Sequence, residues 1–324
     1  MKIEIGPNEA GQRLDKFLRK LLKDVPLSAI FKALRKKDIR VNGKKQNEKY
    51  FLEEGDIVEI KYIQSKKEDK SNKFMKVDSK RMKICFEDDN LVVVEKWPGI
   101  LVHSDSADGK EATLTDYTLS YLDAKGAYVP ENELTFTPAA CNRLDRNTSG
   151  MVIFGKTFEG LKCINEAIRE DEIKKYYYAL VKGKIKNGRY EGYILKNSDN
   201  NLSKIYENEV EGSKKIITEV NTVETNGAYS LLEINLITGR SHQIRAHLSY
   251  LGNPIIGDNK YGDKKLNSFF EHKHGLNYQF LYAYKLNFRE IKGKLSYLKN
   301  KTVAVALPPL FKKIKQDVFK FSLR

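Results

Sequence analysis

Asp145 stands between two arginines in the stretch CNRLDRNTSG, residues 141–150. The flanking Arg143 and Arg146 would hold its carboxylate in the charged form. An aspartate kept ionised suits a nucleophile or a base and does not suit a general acid. Taken alone, an Asp flanked by arginines is more often a structural ion-pair partner. A second cluster lies in LITGRSHQIRAHLSYLGNPIIGDNKYG, residues 236–262, where Arg240, His242, Gln243, Arg245 and His247 crowd behind Gly239. Arg and Gln so close to a glycine would face phosphate or carboxylate oxygens. Arg245 would serve equally to hold a structural carboxylate. His242 and His247 lack the spacing of a helical HxxxH zinc pair, so no metal site is expected.

These loops need elements to position them. From Met82 onward strand-like segments dominate: KICFEDDNLVVVEK, GMVIFGK, KYYYALVKGKI, GYILK, YSLLEINLITG and FLYAYKLNF. Helical patterns, LTDYTLSYL and FEGLKCINEAIRE, fall between them. The irregular alternation predicts a large α+β domain with a mixed or antiparallel sheet over 81–312. A turn at Thr148-Ser149-Gly150, running into MVIFGK, would pin the Asp145 loop against that sheet. Ahead of it, residues 1–62 form a separate small unit. GQRLDKFLRKLL carries an apolar helical stripe, and Pro26-Leu27-Ser28 ends it, with Ser28 placed to cap the next helix. AIFKALRKK follows, then IRVNGKKQ with an Asn42-Gly43 tight turn, then the strand LEEGDIVEI. Residues 63–80 are polar and without period, a linker. Residues 313–324 are a basic, peripheral C-terminal tail.

The charge balance says what such a molecule meets. Lys and Arg number 58 against 43 Asp and Glu, a net +15 spread along 324 residues. A folded protein this basic pairs with polyanions, nucleic acid first. Lys32, Arg35, Lys36 and Lys37 on the second helix, with Arg40 on the strand after it, make a face that would grip phosphates. Mean hydropathy is −0.55. No apolar run approaches the roughly 18 residues of a membrane span, and MKIEIGPNEAGQRLDKFL does not read as a signal peptide. Cys85, Cys141 and Cys163 are scattered without a CxxC, which fits a reducing cytoplasm.

Several ordered motifs then resemble one family. NRLDRNTSG is similar to the H-R-L-D-x-x-T-S-G motif of the RluA family of pseudouridine synthases, and LITGRSHQIRAHL to its T-G-R-T-H-Q-I-R-x-H-L segment. CFEDDNLVVVEKWPGILVH resembles the opening strand and loop of that family, and KKYYYALVKG its K-x-Y-x-A-x-V-x-G strand. The order RLDKFL, Ser28, IRVNGKK, LEEGDIVEI resembles the RNA-binding fold named after the fourth ribosomal small-subunit protein. The layout is nearest the RluC-like branch. Two positions depart: Asn142 stands where the family usually has His, and Trp97 interrupts the usual K-P.

The resemblance implies an α+β protein: a small helical and hairpin RNA-binding domain, then a large mixed-sheet catalytic domain. It implies an enzyme that flips uridine out of RNA, breaks the glycosidic bond, and rejoins the base through carbon five. Asp145 would be the catalytic aspartate, as nucleophile at the anomeric carbon or as base at the ribose. Arg143 would fill the gap left by the flipped nucleotide. Tyr177 would stack on the base, with Tyr176 and Tyr178 beside it in sequence. Arg245 would pair with Asp145, Ile244 would pack on the other face of the base, and Arg240 would join the RNA contacts. The expected partner is large-subunit rRNA, with no cofactor, no metal, no membrane and a monomeric chain. The alternatives are a tRNA-directed synthase and a ribosome-associated RNA-binding protein without activity. A glycosidase-like hydrolase ranks below both, because neither motif supplies a second carboxylate as acid.

Overall fold

The computed structural model describes residues 1–63, 74–104, 111–197 and 202–320. The N-terminal unit runs β1 (Lys2–Glu4), α1 (Leu14–Leu21), α2 (Leu27–Lys36), β2 (Ile39–Val41) and β3 (Ile57–Ile60). Its three strands pair in the order β1-β3-β2. Leu14, Phe17 and Leu18 on α1 meet Ile30 and Leu34 on α2 over that sheet. Asn42 and Gly43 both adopt positive φ (51° and 73°). Val41 and Lys44 exchange backbone hydrogen bonds of 2.9 and 3.0 Å across them, the primed turn that Asn-Gly favours. Ser28 does not cap α2. Pro26 occupies the cap, with φ −57° and no side-chain bond, and its missing N–H leaves no donor to satisfy.

The larger domain opens with β4 (Lys83–Glu87), β5 (Leu91–Lys96), α3 (Leu114–Ala124), β6 (Ala139–Ala140) and β7 (Ser149–Gly155). α4 (Phe158–Arg169), β8 (Ile173–Lys182), β9 (Gly188–Asn197), β10 (Leu202–Tyr206), β11 (Lys214–Thr225) and β12 (Tyr229–Leu236) follow. Then come α5 (Gln243–Tyr250), α6 (Lys264–His274), β13 (Leu281–Phe288), a 3-10 turn (Gly293–Leu298), β14 (Thr302–Ala304) and α7 (Pro309–Phe319). The strands form one mixed sheet, β10-β9-β11-β12-β8-β13-β7-β5-β4, with β14 added at β13 and β6 at β7. The β13–β7 pair is parallel. All seven residues of β7 are buried, as expected of a central strand covered on both faces.

Four sequence expectations need correction. α7 occupies most of what reads as a tail: Phe311 and Ile314 are fully buried, and Phe311 stacks on Phe280 at 3.9 Å. Its apolar residues recur at helical spacing between lysines that hide the stripe. Residues 321–324 lie outside the described residues, as do 64–73 of the expected linker. The remainder of that linker is tied down. Phe74 packs against Tyr128, and the Met75 and Val77 N–H groups donate to Asp116 and Ser120 Oγ at 2.9 and 3.0 Å. β11 is a long strand with no counterpart among the expected ones; Ile216, Thr218 and Val220 alternate inward, a period-two signal diluted by its charged residues. Finally, the segment after Gly239 is a helix, not a loop. Gln243 to Leu248 are buried in succession, and a helix covered on every side shows no amphipathic stripe.

The two units touch directly. Asn8 Nδ2 donates to both oxygens of Glu133 at 3.0 and 3.1 Å. Glu9 Oε1 accepts from Thr135 N–H and Oγ1 at 3.1 and 3.2 Å. Asn8 Oδ1 accepts from the Phe158 N–H at the start of α4, 3.1 Å away. Leu134 packs against the N-terminal core.

Candidate active site

The Asp145 loop crosses between β6 and β7 and is held from four sides. Asn142 Oδ1 accepts the Ile153 N–H of β7 at 2.8 Å, and its amide reaches Met151 O at 3.4 Å. The amide that replaces the expected His therefore ties the loop to the sheet. Leu144 is buried. Thr148 N–H closes the turn on Asp145 O at 3.0 Å, so the turn ends at Thr148, and Ser149 and Gly150 already belong to β7. Thr148 Oγ1 accepts from Gln279 at 3.0 Å. At Gly150, with φ +119°, an added Cβ would sit 2.3 Å from Ala283 O on the parallel neighbour β13, so only glycine fits.

Lys96 lies beneath this loop, fully buried at the end of β5. Its ammonium donates to the carbonyls of Arg146 and Thr148, both at 2.7 Å, and of Trp97 at 3.2 Å. Burial pushes its pKa down to about 7, with the Asp145 charge pulling the other way. Trp97 itself packs edge-on against Tyr117, ring centroids 5.1 Å apart.

Arg245, on α5, joins two carboxylates. Its Nη1 donates to Asp145 Oδ2 at 2.9 Å. Its Nε and Nη2 grip Asp258 in a bidentate pair at 2.7 and 2.9 Å. Asp258 Oδ1 also accepts the Lys260 and Tyr261 N–H groups at 2.9 and 3.1 Å. Burial works against charge on both partners, yet their contacts outweigh it: the Arg245 pKa is raised and that of Asp258 lowered. Arg245 thus holds a structural carboxylate and the Asp145 carboxylate at once. Asp145 Oδ1 accepts no hydrogen bond from the described residues, and the side chain is 23% exposed. One oxygen is fixed and the other is open to a reactant.

A cleft opens over that oxygen, lined by Arg143, Tyr177, Arg240, His242, Ile244 and Arg245 among others. Tyr177 is buried in its wall, and burial followed by the Asp145 charge raises its hydroxyl pKa. Its neighbours face the other side of β8. Tyr178 stacks on Tyr284 at 3.9 Å, and Tyr176 lies under the Lys285 ammonium at 4.0 Å. Arg143 and Arg240 are exposed at the cleft, and Ile244 is buried in it. Arg146 is not a partner of Asp145: its Nη1 turns to Glu111 and Gly99 O at 2.8 and 3.3 Å. The charge beside Asp145 comes from Arg245 on a distant helix and not from its neighbours in sequence. Lys32, Arg35 and Lys36 are exposed together on α2, and Arg40 binds Lys37 O at 3.1 Å. They lie in the N-terminal unit and line no part of the cleft. The Cys141 thiol is half-buried and held up at about 12 by desolvation, hence inert.

The sequence assigns no role to three residues of the site, Asp258, Lys96 and His242. Gln243, next to His242 in the chain, is anchored on both sides. Its buried amide bonds Ile217 O and Thr218 Oγ1, both at 3.1 Å, while Oε1 accepts from Thr238 Oγ1 and Arg240 N–H at 2.8 and 3.1 Å. His242 caps α5 in the left-handed conformation, φ 57° and ψ 14°. That conformation costs about 1–2 kcal/mol for a residue with a Cβ. Its Nδ1 lies 2.9 Å from the Tyr261 hydroxyl.

Comparison with known proteins agrees with this geometry. Residues 90–250 match the RNA pseudouridylate synthase family, and residues 12–58 match the S4 domain. The chain is 35% identical over 292 residues to the ribosomal large subunit pseudouridine synthase C of Vibrio vulnificus, covering 88% of this chain and 87% of that one. The Escherichia coli K12 protein of the same name is also 35% identical, covering 88% of each chain. An uncharacterised RNA pseudouridine synthase of Mycoplasma capricolum is 34% identical over 93% of this chain and 96% of its own. In fold, the human RNA pseudouridylate synthase domain-containing protein 4 superposes with a TM-score of 0.58 at 22% identity, over 72% of this chain and 92% of that one. The chain belongs to the RNA pseudouridylate synthase family, enzymes that isomerise uridine in RNA to pseudouridine.

Proposed function

We propose that this enzyme modifies uridines of large-subunit ribosomal RNA, with Asp145 as the group that acts on the ribose. The observation that carries the catalytic reading is the Asp145–Arg245–Asp258 chain. It fixes and aims one carboxylate oxygen while leaving the other facing a cleft walled by an aromatic ring. Two features support the ribosomal substrate: the relatives above carry that activity in their names across nearly nine-tenths of the chain, and an RNA-binding unit is docked on the catalytic domain.

The target uridine must leave its stack, which costs a few kcal/mol. Arg143, exposed at the cleft mouth, takes the vacated place. Tyr177 gives the flipped base a stacking face, on the order of 1–3 kcal/mol, and Ile244 packs opposite. Asp145 then attacks the anomeric carbon, or takes a proton from the ribose, and the glycosidic bond opens. Arg245 keeps the carboxylate oriented without reorganising during the reaction. The base turns, bonds through carbon five, and loses the proton there. Nothing is oxidised and no group leaves the nucleotide, so the chemistry asks for no cofactor or metal. Arg240 meets the RNA backbone at the cleft, and Lys32, Arg35, Lys36 and Arg40 hold a more distant segment. One chain supplies the whole cleft, so a monomer suffices, and the work belongs in the cytoplasm.

The test is tritium release from RNA labelled at uracil carbon five, with unmodified large-subunit rRNA and tRNA offered separately. Release from rRNA is expected. Release only from tRNA would move the substrate assignment while keeping the enzyme.

A further inference from the structure

We infer that His242 is the cleft's uracil-reading donor: its Nε2–H, fixed in place by Tyr261, hydrogen-bonds a carbonyl oxygen of the flipped base. The inference rests on the cleft being the uridine site, as proposed above. It starts from one hydroxyl. The Tyr261 oxygen accepts the Ser203 N–H at 2.7 Å and lies 2.9 Å from His242 Nδ1. The hydroxyl's other partner is Ser203, which donates its N–H and also meets it through its side chain; we assign the hydroxyl's own proton to Nδ1. Nδ1 is therefore the acceptor, and in a neutral imidazole the hydrogen must then sit on Nε2. Burial lowers the pKa of His242 below its ordinary value, against the Asp145 charge, which favours the neutral ring.

Geometry sends that hydrogen toward the reactant. The two ring nitrogens diverge, so engaging Nδ1 turns Nε2 away from Tyr261. His242 lines the cleft with Asp145, Tyr177 and Ile244, and no described residue bonds Nε2. The left-handed backbone at His242 holds the ring at the head of α5, next to the Arg245 that fixes Asp145. Tyr261 is itself immobilised: its N–H binds Asp258 at 3.1 Å, and the Arg245 guanidinium lies 5.2 Å from its ring. The same network thus aims the carboxylate and the imidazole. Uracil offers two carbonyl oxygens, at carbons 2 and 4. Cytosine replaces the second with an amino donor, so a donor facing carbon 4 would also reject cytidine.

The experiment uses the full chain and an RNA whose target uridine has been located by wild-type turnover. That RNA is then made with sulfur, a poor acceptor, at carbon 2 or carbon 4 of the target. Wild type should lose about ten- to hundredfold in kcat/KM on one of the two thio substrates, and which one identifies the carbonyl read. His242→Phe should lose a similar factor on the oxygen substrate and show no further thio effect. His242→Gln, whose amide nitrogen can stand in for Nε2–H, should recover most of the loss. Tyr261→Phe, a positioning change, should lower kcat/KM alone and add nothing in the His242→Phe background. Equal wild-type rates on both thio substrates and the parent would overturn the inference while leaving the enzyme intact. Full activity in His242→Phe would do the same. Absence of wild-type turnover on any RNA would instead overturn the assignment of the cleft.

Discussion

The cleft and the N-terminal basic face handle charge in opposite ways. In the cleft Arg245 is almost entirely withdrawn from water, and the Asp258 carboxylate it grips is further held by backbone N–H groups. On α2, Lys32, Arg35 and Lys36 stand in solvent. Buried, saturated charges cannot relocate, so they can aim one carboxylate at one atom. Solvated charges exchange counterions freely and adapt to whatever phosphate arrives, so they give affinity without chemistry. The contrast predicts that the two regions fail separately.

The largest effect should follow Asp145→Asn. Turnover should fall by about 10⁴-fold or more, as when a group at the centre of a catalytic set is removed. RNA affinity, measured by filter binding, should change by no more than a few-fold. A matching loss of binding in a folded variant would erase the division between the two regions.

Asp258→Ala comes next. It strands the Arg245 guanidinium in a buried site with only Asp145 left as partner. Removing one member of a buried pair costs about 3–5 kcal/mol, readable as a drop in the denaturant midpoint at constant slope. A cost below about 1 kcal/mol would mean that Arg245 is solvated, and its aiming role would go with it.

How much of this was legible in the sequence differs between the same two regions. The N-terminal unit is built from local signals: an apolar stripe on α1, an Asn-Gly turn, a basic helix. Each is contiguous in the chain, so the pattern suffices, except where Pro26 displaced Ser28 as the cap. The cleft is assembled from segments far apart in the chain. Asp145 and Arg245 could be singled out because their motifs are dense in polar residues. Residue types and spacing alone set the flanking arginines beside Asp145, because proximity in sequence is not proximity in space; Arg245 entered as its partner only through the family resemblance. Asp258 sits in IIGDNKYG, a stretch that reads as a loop. Lys96 ends an apolar strand, where a lysine ordinarily marks the return to solvent. Here it turns inward to collect three carbonyls that no pattern announces. α5 escaped for a related reason, since complete burial removes the periodicity by which helices are found.

Lys96 allows a pH test of that hidden support. Its folded pKa, about 7, lies below the ordinary 10.5. Between those values the unfolded chain binds a proton that the folded chain does not, so this group's contribution to stability rises with pH from about 7 toward 10. Below pH 7 both states are protonated and the contribution is flat. Lys96→Met removes the titration and leaves the Arg146 and Thr148 carbonyls without their donor. The stability gap between wild type and variant should therefore widen by about 1 kcal/mol per pH unit above 7, measured by denaturant titration. A gap that stays constant from about pH 6 to 9 would mean that Lys96 keeps its proton throughout.

The smallest effect should come from the opposite region. Arg35→Gln with Lys36→Gln removes two exposed charges that touch nothing in the catalytic domain. For each phosphate no longer neutralised, the slope of log K against log salt should shrink by about 0.7–0.9. The double variant should therefore bind more weakly at low salt and converge on wild type as salt rises. At saturating RNA its turnover should match wild type, because the Asp145–Arg245–Asp258 geometry lies outside its reach. The informative quantity is therefore the KM-against-kcat split and not the total loss. A rise in KM with unchanged kcat would place the face in substrate capture. A fall in kcat would show that the docked N-terminal unit, held by Asn8 and Glu9, also sets how the RNA enters the cleft. The polar contacts at Glu133 and Thr135 would then be the next positions to substitute.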